Sequence, residues 1–224
     1  MITLLLVSRN RHKASEIGVM AGASITRVLT LSDIGFTGEI HETGQTFDDN
    51  ARIKVEAVLA FLPTQNSPLP DTPLLALADD SGLEVDALAG QPGVYSARYA
   101  GEPSNDQANN QKLLQTLANI SEAGRGAQFR CVLAAAWINP PPGKKSSVPP
   151  SIRLFQGICR GRIGFEPKGC QGFGYDPLFI PDGKTKTFAE LSAEEKNLLS
   201  HRARAMAHFR EWLERESSPA AQSE

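Results

Sequence analysis

The sequence lacks the features that would place a chain on nucleic acid or in a membrane. Lys and Arg number 23 against 25 Asp and Glu, so a formal net charge of −2 provides no overall field that would hold nucleic acid or an acidic bilayer surface. No apolar run approaches the roughly 18 to 20 residues that cross a bilayer. The apolar start, residues 1–7, also lacks a signal peptide's basic start and cleavage site. We expect no nucleic-acid or membrane partner.

Cysteine and histidine are both scarce. The three cysteines form no C-x-x-C pair and have no histidines at zinc-site spacing, which predicts reduced thiols in a cytoplasmic protein. The spacing of the four histidines supports no Ser-His-Asp or Cys-His arrangement, so nucleophilic catalysis of that kind is not predicted. The cysteines are Cys131, Cys159 and Cys170, and the histidines are His12, His41, His201 and His208.

What the sequence does have is an ordinary globular composition. A chain of 224 residues with 41% hydrophobic residues is long enough to bury a core, as one large domain or two small lobes. Short apolar runs alternate with helical periodicity, which predicts an α/β fold. Strands are expected at 2–7 and 74–78, with a hairpin at 129–138 and 152–162. Helices are expected from Arg11 to near Gly22, from Thr46 with an apolar face at Ile53, Ala57, Val58 and Phe61, at 106–117, and from Ser192 to Leu213.

Three segments look irregular. Residues 63–73 carry four prolines and predict a surface loop. Residues 140–150 predict a mobile tip between two strands, an insertion without functional residues. The polar tail 217–224 is predicted to be disordered, which leaves a single domain over 1–216.

The first candidate site lies where the first strand meets its helix. It comprises Ser8, Arg9, Asn10, Arg11, His12 and Lys13. Unpaired N–H groups at a helix N-terminus favour phosphate, and Lys13 would add a full charge. The glycines of a P-loop are missing. Alternatively, Ser8 and Asn10 only cap the helix and Lys13 is solvated.

The second candidate is Asp79-Asp80-Ser81-Gly82, placed at the carboxyl end of the strand from Leu74. Adjacent carboxylates after an apolar run are costly without a cation or hydrogen-bond donors, and Mg²⁺ binds through one or two carboxylates plus substrate phosphates. One aspartate could then activate water for attack on phosphorus. An Asp-Ser-Gly turn bonded to its own backbone is the alternative.

Two further groups suit a purine nucleotide. The glycine-rich stretch Gly169–Pro177 would let Phe173 or Tyr175 offer a face to a flat base, although a tight strand connection would look similar. Early in the last helix, Lys196 could contact phosphate, while His201 and Arg202 could donate to a purine 6-oxo group. A solvated charged face is the alternative there and for Lys54.

Taken together, these segments resemble the inosine triphosphate pyrophosphatase family, over residues 3 to about 213. The matching text is Ser8 to Lys13, Glu42-Thr43-Gly44 to Lys54, Ala78 to Leu83, Pro92 to Tyr99, Gly172 to Pro177, Glu195-Lys196 and Ser200-His201-Arg202. The resemblance implies an elongated two-lobed α/β fold with a central mixed β-sheet flanked by helices and an active-site cleft between the lobes. It also implies a homodimer.

The resemblance implies roles for single residues. Asp80 would be the general base and a Mg²⁺ ligand, Ser81 a substrate contact, and Ser8 to Lys13 the triphosphate-binding turn. The purine would lie on Phe173, with other contacts from Gly174, Tyr175, Asp176, Lys196, His201 and Arg202, and Lys54 would assist with phosphate. Relatives often carry two acids before Thr-Gly, whereas here His41 replaces the first, so Glu42 or water would complete the metal shell.

The implied reaction is hydrolysis of ITP, dITP or XTP to the monophosphate and pyrophosphate. Charge neutralisation, an oriented water and a base are what phosphoanhydride hydrolysis requires, and the candidate residues supply them. Two alternatives remain open: a pyrophosphatase for modified pyrimidine nucleotides, against which His201 and Arg202 argue, and a non-catalytic nucleotide sensor.

Overall fold

A computed structural model describes residues 1–62, 72–143 and 150–217, and it confirms the predicted α/β class. The strands are β1 Ile2–Val7, β2 Ile25–Thr30, β3 Leu74–Val85, β4 Gly126–Asn139, β5 Arg153–Ile163 and β6 Phe179–Pro181. The helices are α1 Arg11–Met20, α2 Phe47–Phe61, α3 Asp106–Thr116, α4 Ala193–Leu199 and α5 His201–Ser217.

The six strands form one mixed sheet, as the resemblance implied, and their order is β2-β1-β3-β4-β5-β6. Strand β1 pairs in parallel with both β2 and β3, whereas β6 runs antiparallel to β5. In the β1–β3 register Val7 lies opposite Ala78. Because β1 ends at this pair, the residues that follow β1 come close to Asp79 of the neighbouring strand.

Contacts divide the chain into two compact units. The first comprises residues 1–80, 132–156 and 205–224. Its core contains all of β1, which is buried along its whole length as expected for a strand covered on both faces. Ile17 of α1 and Val55 of α2 are fully buried, and Phe155 meets Phe209 of α5 edge-on at 5.6 Å.

The second unit comprises residues 81–131 and 157–204. Its core is built around three phenylalanine rings. Phe129 lies 4.8 Å from Phe179 and 5.8 Å from Phe188, and Phe179 lies 5.0 Å from Phe188, measured between ring centroids. Leu113 of α3 is fully buried in the same cluster, so this helix is fixed to the core by its apolar face.

Strand β3 is longer than predicted. We expected it to end at Ala78, with Asp79 to Gly82 after the end, but the strand continues to Val85. Leu83 and Val85 are fully buried in the core of the second unit, and their burial stabilises an extended backbone through the polar residues. The two aspartates and Ser81 therefore lie inside a strand and do not form an Asp-Ser-Gly turn.

The buried face of α2 also differs from the prediction. Of the expected apolar face, Val58 is buried, but Ile53, Ala57 and Phe61 are only partly so. The helix instead buries Phe47, Asn50, Ala51, Lys54, Val55 and Val58. Apolar periodicity could not identify this face, because it contains an asparagine and a lysine.

The predicted single last helix is broken at Ser200. Ser192 and Glu195 form the expected capping box of α4, but α4 ends at Leu199 and α5 begins at His201. Ser200 has ψ 159°, and its hydroxyl accepts the Ala203 N–H at 3.2 Å. A serine that leaves the helical conformation and caps the next turn explains the break. His201 and Arg202 thus occupy the first turn of α5.

The apolar pattern of the sequence did not predict strands β2 and β6. Strand β2 is exposed at most positions, and β6 has only three residues, so neither shows a clear apolar run. Most of the predicted loop 63–73, the centre of the tip 140–150 and the tail beyond Ser217 lie outside the described residues. The single domain over 1–216 stays a prediction. Within the described part of the chain, no helix is long and apolar enough to span a membrane.

We predict that Thr46→Ala lowers the free energy of unfolding by about 1 kcal/mol. The Thr46 hydroxyl accepts the Asp49 N–H at 3.1 Å, and the Asp49 carboxylate accepts the Thr46 N–H, so the substitution removes the capping box of α2. Denaturant unfolding followed by circular dichroism measures the change. Gln45→Ala, at an exposed neighbouring position, is the control; equal stability of the two variants would contradict the prediction.

Candidate active site

A buried lysine organises the polar residues of the first unit. Lys54 of α2 is 9% exposed. Its ammonium donates to Asp80 Oδ1 at 2.7 Å and to the Asp79 carbonyl at 3.0 Å, and it lies 3.1 Å from Glu42 Oε2. Burial alone lowers the pKa of Lys54, but the charges of Asp80 and Glu42 outweigh it and raise this pKa above its usual value. Lys54 is therefore a fixed cation and not a solvated side chain.

A glycine brings Glu42 to this lysine. The Gly44 N–H donates to Asn50 Oδ1 at 2.8 Å, which joins the segment before α2 to the helix. A Cβ at Gly44 would lie 2.5 Å from the Asp49 Cβ and 2.7 Å from Asn50 Oδ1. Only glycine allows this close approach, so Gly44 and Asn50 set the position of Glu42.

One carboxylate oxygen of Asp80 accepts a hydrogen bond, and the other has no partner among the described residues. Lys54 occupies Oδ1, whereas Oδ2 is buried and has no hydrogen-bond partner among the described residues. Burial raises the pKa of the Asp80 carboxyl, an effect opposed by Lys54 and Lys13 and reinforced by Glu42. A buried carboxylate with a fixed orientation and one unsatisfied oxygen is suited to bind a cation or to accept a proton.

Lys13 pairs with the other aspartate. Its ammonium lies 2.5 Å from Asp79 Oδ1, and the Asp79 side chain is fully buried. This contact follows from the parallel pairing of β1 with β3, which places the start of α1 beside Asp79. Lys13 is 15% exposed as a side chain, so the alternative of a solvated lysine is not what the structure shows.

The rest of the strand-to-helix turn is engaged in capping. Asn10 Oδ1 accepts the N–H groups of His12 and Lys13 at 3.0 and 3.1 Å, and Ser8 Oγ accepts the Asn10 N–H at 3.2 Å. The guanidinium of Arg9 donates to the carbonyls of Thr37 and Gly38. Asn10 thus caps α1, as the alternative interpretation expected, whereas the solvated Lys13 of that interpretation is not observed. The phosphate contacts predicted for Ser8 to Lys13 stay a prediction. The Arg11 side chain lies outside the described residues.

The carboxylates around Lys54 fit a small hard cation. Among the described residues no group of three or more His, Cys, Asp or Glu side chains is placed to hold a metal ion. Asp80 and Glu42 both contact Lys54, however, and Mg²⁺ binds through one or two protein carboxylates with substrate phosphates and water as the other ligands. His41 is exposed, so Glu42 is the better placed of the two neighbours.

A second polar group, in the second unit, surrounds a phenylalanine. Asp176 Oδ2 accepts the Phe173 N–H at 2.9 Å and pairs with the Lys196 ammonium at 2.6 Å. That ammonium lies 5.1 Å from the centroid of the half-buried Phe173 ring. A Cβ at Gly172 would collide with the Asp176 carboxylate, so glycine is required there. The alternative of a solvated charged face is not observed for Lys196, which is 6% exposed.

The first turn of α5 adds two more buried donors. Arg202 is 1% exposed; its Nη2 donates to Ser81 Oγ at 3.3 Å, and its Cζ lies 5.9 Å from the Phe173 centroid. The His201 ring stacks on Phe129 at 4.7 Å. The second unit therefore brings together Ser81, Phe173, Asp176, Lys196 and Arg202, with His201 buried beside Arg202 in the same turn. Their contacts with a substrate stay a prediction.

Tyr175 has a buried position that sequence reasoning did not identify. Its side chain is 3% exposed, its hydroxyl donates to the Ser96 carbonyl at 2.9 Å, and burial raises its pKa. These contacts make the ring an anchor of the loop. The substrate contact predicted for Tyr175 stays a prediction.

Sequence reasoning also missed residues that position the site. Asn50, Asp106 and Asn110 each hold a loop by a hydrogen bond to its backbone, and the Ser96 carbonyl accepts the hydroxyl of Tyr175. The one available signal was the spacing of Asp106 and Asn110, four residues apart and hence on one side of α3.

Comparisons with known proteins identify the family of the chain. The Ham1 family profile matches residues 4–212. The chain is 44% identical to the dITP/XTP pyrophosphatase of Bacillus licheniformis over 91% of this chain and 93% of that protein. It is 42% identical to the dITP/XTP pyrophosphatase of Bacillus subtilis over 94% and 96%.

Solved structures give the same result. The Ham1 protein of Staphylococcus aureus is 37% identical and superposes with a TM-score of 0.77 over 96% of this chain and all of that one. A HAM1 protein from Coxiella burnetii is 34% identical, with a TM-score of 0.75 over the same shares. The chain belongs to the Ham1 family.

Proposed function

We propose that this protein is a nucleoside triphosphate pyrophosphohydrolase that converts noncanonical purine nucleotides, dITP, XTP and ITP, to the monophosphate and pyrophosphate. The observation that carries the proposal is Asp80, a buried carboxylate with one oxygen held by Lys54 and the other without a partner. The relatives named dITP/XTP pyrophosphatases support the substrate class.

In this proposal Asp80 is the general base. Its free oxygen accepts a proton from the water that attacks phosphorus, while the hydrogen bond from Lys54 fixes the orientation of the carboxylate. Burial keeps the proton affinity of Asp80 above that of a solvated carboxylate, which makes it a better acceptor. No covalent enzyme intermediate is needed for in-line hydrolysis of a phosphoanhydride.

The cations of the first unit provide charge for the phosphates. Lys13 and Lys54 are fixed by Asp79 and Asp80, so neither has to be ordered when an anion binds. Ordered cations act where negative charge develops in the transition state. Ser8 to Lys13 are proposed to contact the triphosphate from the start of α1, with Lys13 as the principal charge.

Residues of the second unit are proposed to recognise the base. Phe173 offers an aromatic face for stacking, and Lys196 and Arg202 present only hydrogen-bond donors. A 6-oxo purine offers an acceptor at this position, whereas adenine offers an amino group that would leave buried donors unpaired. Ser81, Gly174, Asp176 and His201 complete the proposed set.

Mg²⁺ is the proposed cofactor, held by Asp80 and Glu42. The unpartnered buried Oδ2 of Asp80 supports this fit, because a buried acceptor without a donor is otherwise costly. When bound, the ion would neutralise phosphate charge and polarise the bond to be broken.

The family resemblance also leads us to propose a homodimer in the cytoplasm. Cys131, Cys159 and Cys170 are free cysteines, which agrees with a reducing compartment.

The alternatives are not favoured. A pyrophosphatase for modified pyrimidines does not agree with relatives named for dITP and XTP. A non-catalytic sensor would have no use for a buried carboxylate with a free, fixed oxygen.

The test is product formation from a panel of dITP, XTP, ITP, dATP, dGTP and methylated dTTP, with Mg²⁺ or with a chelator. We expect pyrophosphate and monophosphate from the first three, at least tenfold slower turnover of the others, and loss of activity in chelator. Release of orthophosphate and a diphosphate, or a preference for the pyrimidine, would overturn the proposal.

We predict that Asp80→Asn lowers kcat by on the order of 10³ or more, because it removes the proton acceptor and a metal ligand together. Steady-state kinetics with dITP measure the effect, with circular dichroism to verify folding. Asp86→Asn, which alters an exposed acid paired with Arg160, serves as the control. Retention of a tenth of the activity by Asp80→Asn would refute the role.

A pH profile tests the link between Lys54 and Asp80. The base works only when ionised, so kcat/KM falls as the pH drops through the pKa of Asp80. The groups around it are Lys54, Lys13 and Glu42, and Lys54 is the largest influence that lowers its pKa. Lys54→Met therefore raises the pKa, and the acid limb of the profile moves to higher pH.

The control for this profile is Arg52→Met, on the exposed side of the same helix. Its acid limb should coincide with that of the wild type. A limb that stays in place, or moves to lower pH, in Lys54→Met would show that Lys54 does not set the protonation of the base.

A further inference from the structure

The loop that carries Phe173 is hydrogen-bonded to helix α3 at Gly174. The Gly174 N–H donates to Asp106 Oδ2 at 2.7 Å, and the Gly174 carbonyl accepts from Asn110 Nδ2 at 2.8 Å. Both backbone polar groups of one loop residue are thus bound by two side chains of one helix. The N–H and the carbonyl of a residue belong to its two flanking peptide units, so both peptide units around Gly174 are restrained in their rotation.

Helix α3 is itself held in place. Asn105 caps its N-terminus by accepting the Ala108 N–H at 2.9 Å. Asn109 binds the backbone of the preceding segment on another side, accepting from the Ala100 N–H at 2.7 Å and donating to the Ala97 carbonyl at 3.0 Å. Together with the buried Leu113, these contacts make α3 a rigid support for the loop.

Side-chain packing between α3 and the loop is incomplete on one side. An open pocket of about 850 Å³ lies beside them, lined by residues of both. The lining includes Asp106, Asn110, Leu114, Cys170, Phe173 and Gly174. Because an open pocket resists displacement less than a packed core does, the two hydrogen bonds to Gly174 contribute strongly to the positioning on this side.

The position of Gly174 determines the position of Phe173. Gly174 has φ +61°, a left-handed conformation, and it directly follows Phe173, whose N–H is bound by Asp176. On the other side Tyr175 is anchored to Ser96. A shift of Gly174 would therefore rotate the Phe173 backbone and move its ring relative to the Lys196 ammonium, now 5.1 Å from the ring centroid.

We propose that Asp106 and Asn110 are specificity-determining positioning residues, which act through Gly174 to hold Phe173 where a purine base stacks. The inference rests on the proposed function, because it assigns the base to Phe173. Neither residue contacts Asp80, Lys54 or Lys13 in the described structure, so their loss should weaken substrate binding and base discrimination and leave the chemical step nearly unchanged.

The kinetic experiment compares four variants with dITP and dATP as substrates. Asp106→Ala removes the acceptor, and Asn110→Asp replaces the donor by a carboxylate facing a carbonyl oxygen. Each is expected to raise KM for dITP about three- to tenfold, with the larger effect in Asn110→Asp, and to reduce the preference for dITP over dATP, with kcat within about twofold of the wild type.

Two variants serve as matched controls. Asp106→Asn keeps an acceptor oxygen at the same position and should restore the wild-type KM. Gln107→Ala changes the next residue of the helix, which lines the same open pocket, and should have no effect. A general loss of stability would instead raise KM in all helix variants or lower kcat.

Hydrogen exchange provides a readout that does not depend on activity. Peptides spanning 170–178 should exchange faster in Asp106→Ala and Asn110→Asp than in the wild type, with unchanged exchange in peptides spanning 74–80. Unchanged KM and unchanged exchange in both variants would overturn the inference and leave the proposed function intact. A wild-type protein inactive on every nucleotide would refute the proposed function, and the exchange data would still decide whether α3 holds the loop.

Discussion

The ammonium of Lys54 is the interaction on which the polar cluster of the first unit depends. It lies beside the carboxylates of Asp80 and Glu42 and also donates to the Asp79 carbonyl. The buried Asp80 carboxylate would be costly to keep ionised without it. The same ammonium holds one oxygen of Asp80 and leaves the other oriented but without a hydrogen-bond partner among the described residues. The contact that makes the buried charge tolerable is therefore also the contact that orients the proposed base.

The second unit also buries charged side chains, but it stabilises them with a different arrangement. Two long cations, Lys196 and Arg202, are almost completely buried, and the Asp176 carboxylate pairs with the Lys196 ammonium. An aromatic ring within 6 Å of both cations adds attraction without supplying a competing acceptor. The result is an environment rich in donors, which favours a ligand that brings its own oxygen acceptor.

Much of this could be predicted from the sequence, for physical reasons. Strand β1 and the capping boxes of α2 and α4 were predictable because their signals are local: an apolar run, or a threonine or serine with an acid three residues on. Cationic partners for Asp79 and Asp80 were predictable in kind, because adjacent carboxylates after an apolar run are costly without a cation or hydrogen-bond donors. The resemblance to a known family then related these segments to one reaction.

The errors all arise where tertiary contacts decide. The length of β3 depends on Leu83 and Val85 finding a core, and the buried face of α2 includes Lys54 only because Asp80 and Glu42 lie opposite it. The helix break at Ser200 depends on a single side-chain hydrogen bond. The hydrogen bonds from α3 to Gly174 depend on residues that are far apart in the sequence. No periodicity contains that information.

Gly172 illustrates how tightly one position can be constrained. Any side chain there would strike the carboxylate that holds both the Phe173 backbone and Lys196. Neither evolution nor a laboratory library aimed at a new base preference can therefore vary Gly172, the residue next to Phe173. A change of base preference would have to come from substitutions of the surrounding side chains, while the backbone of this turn stays the same.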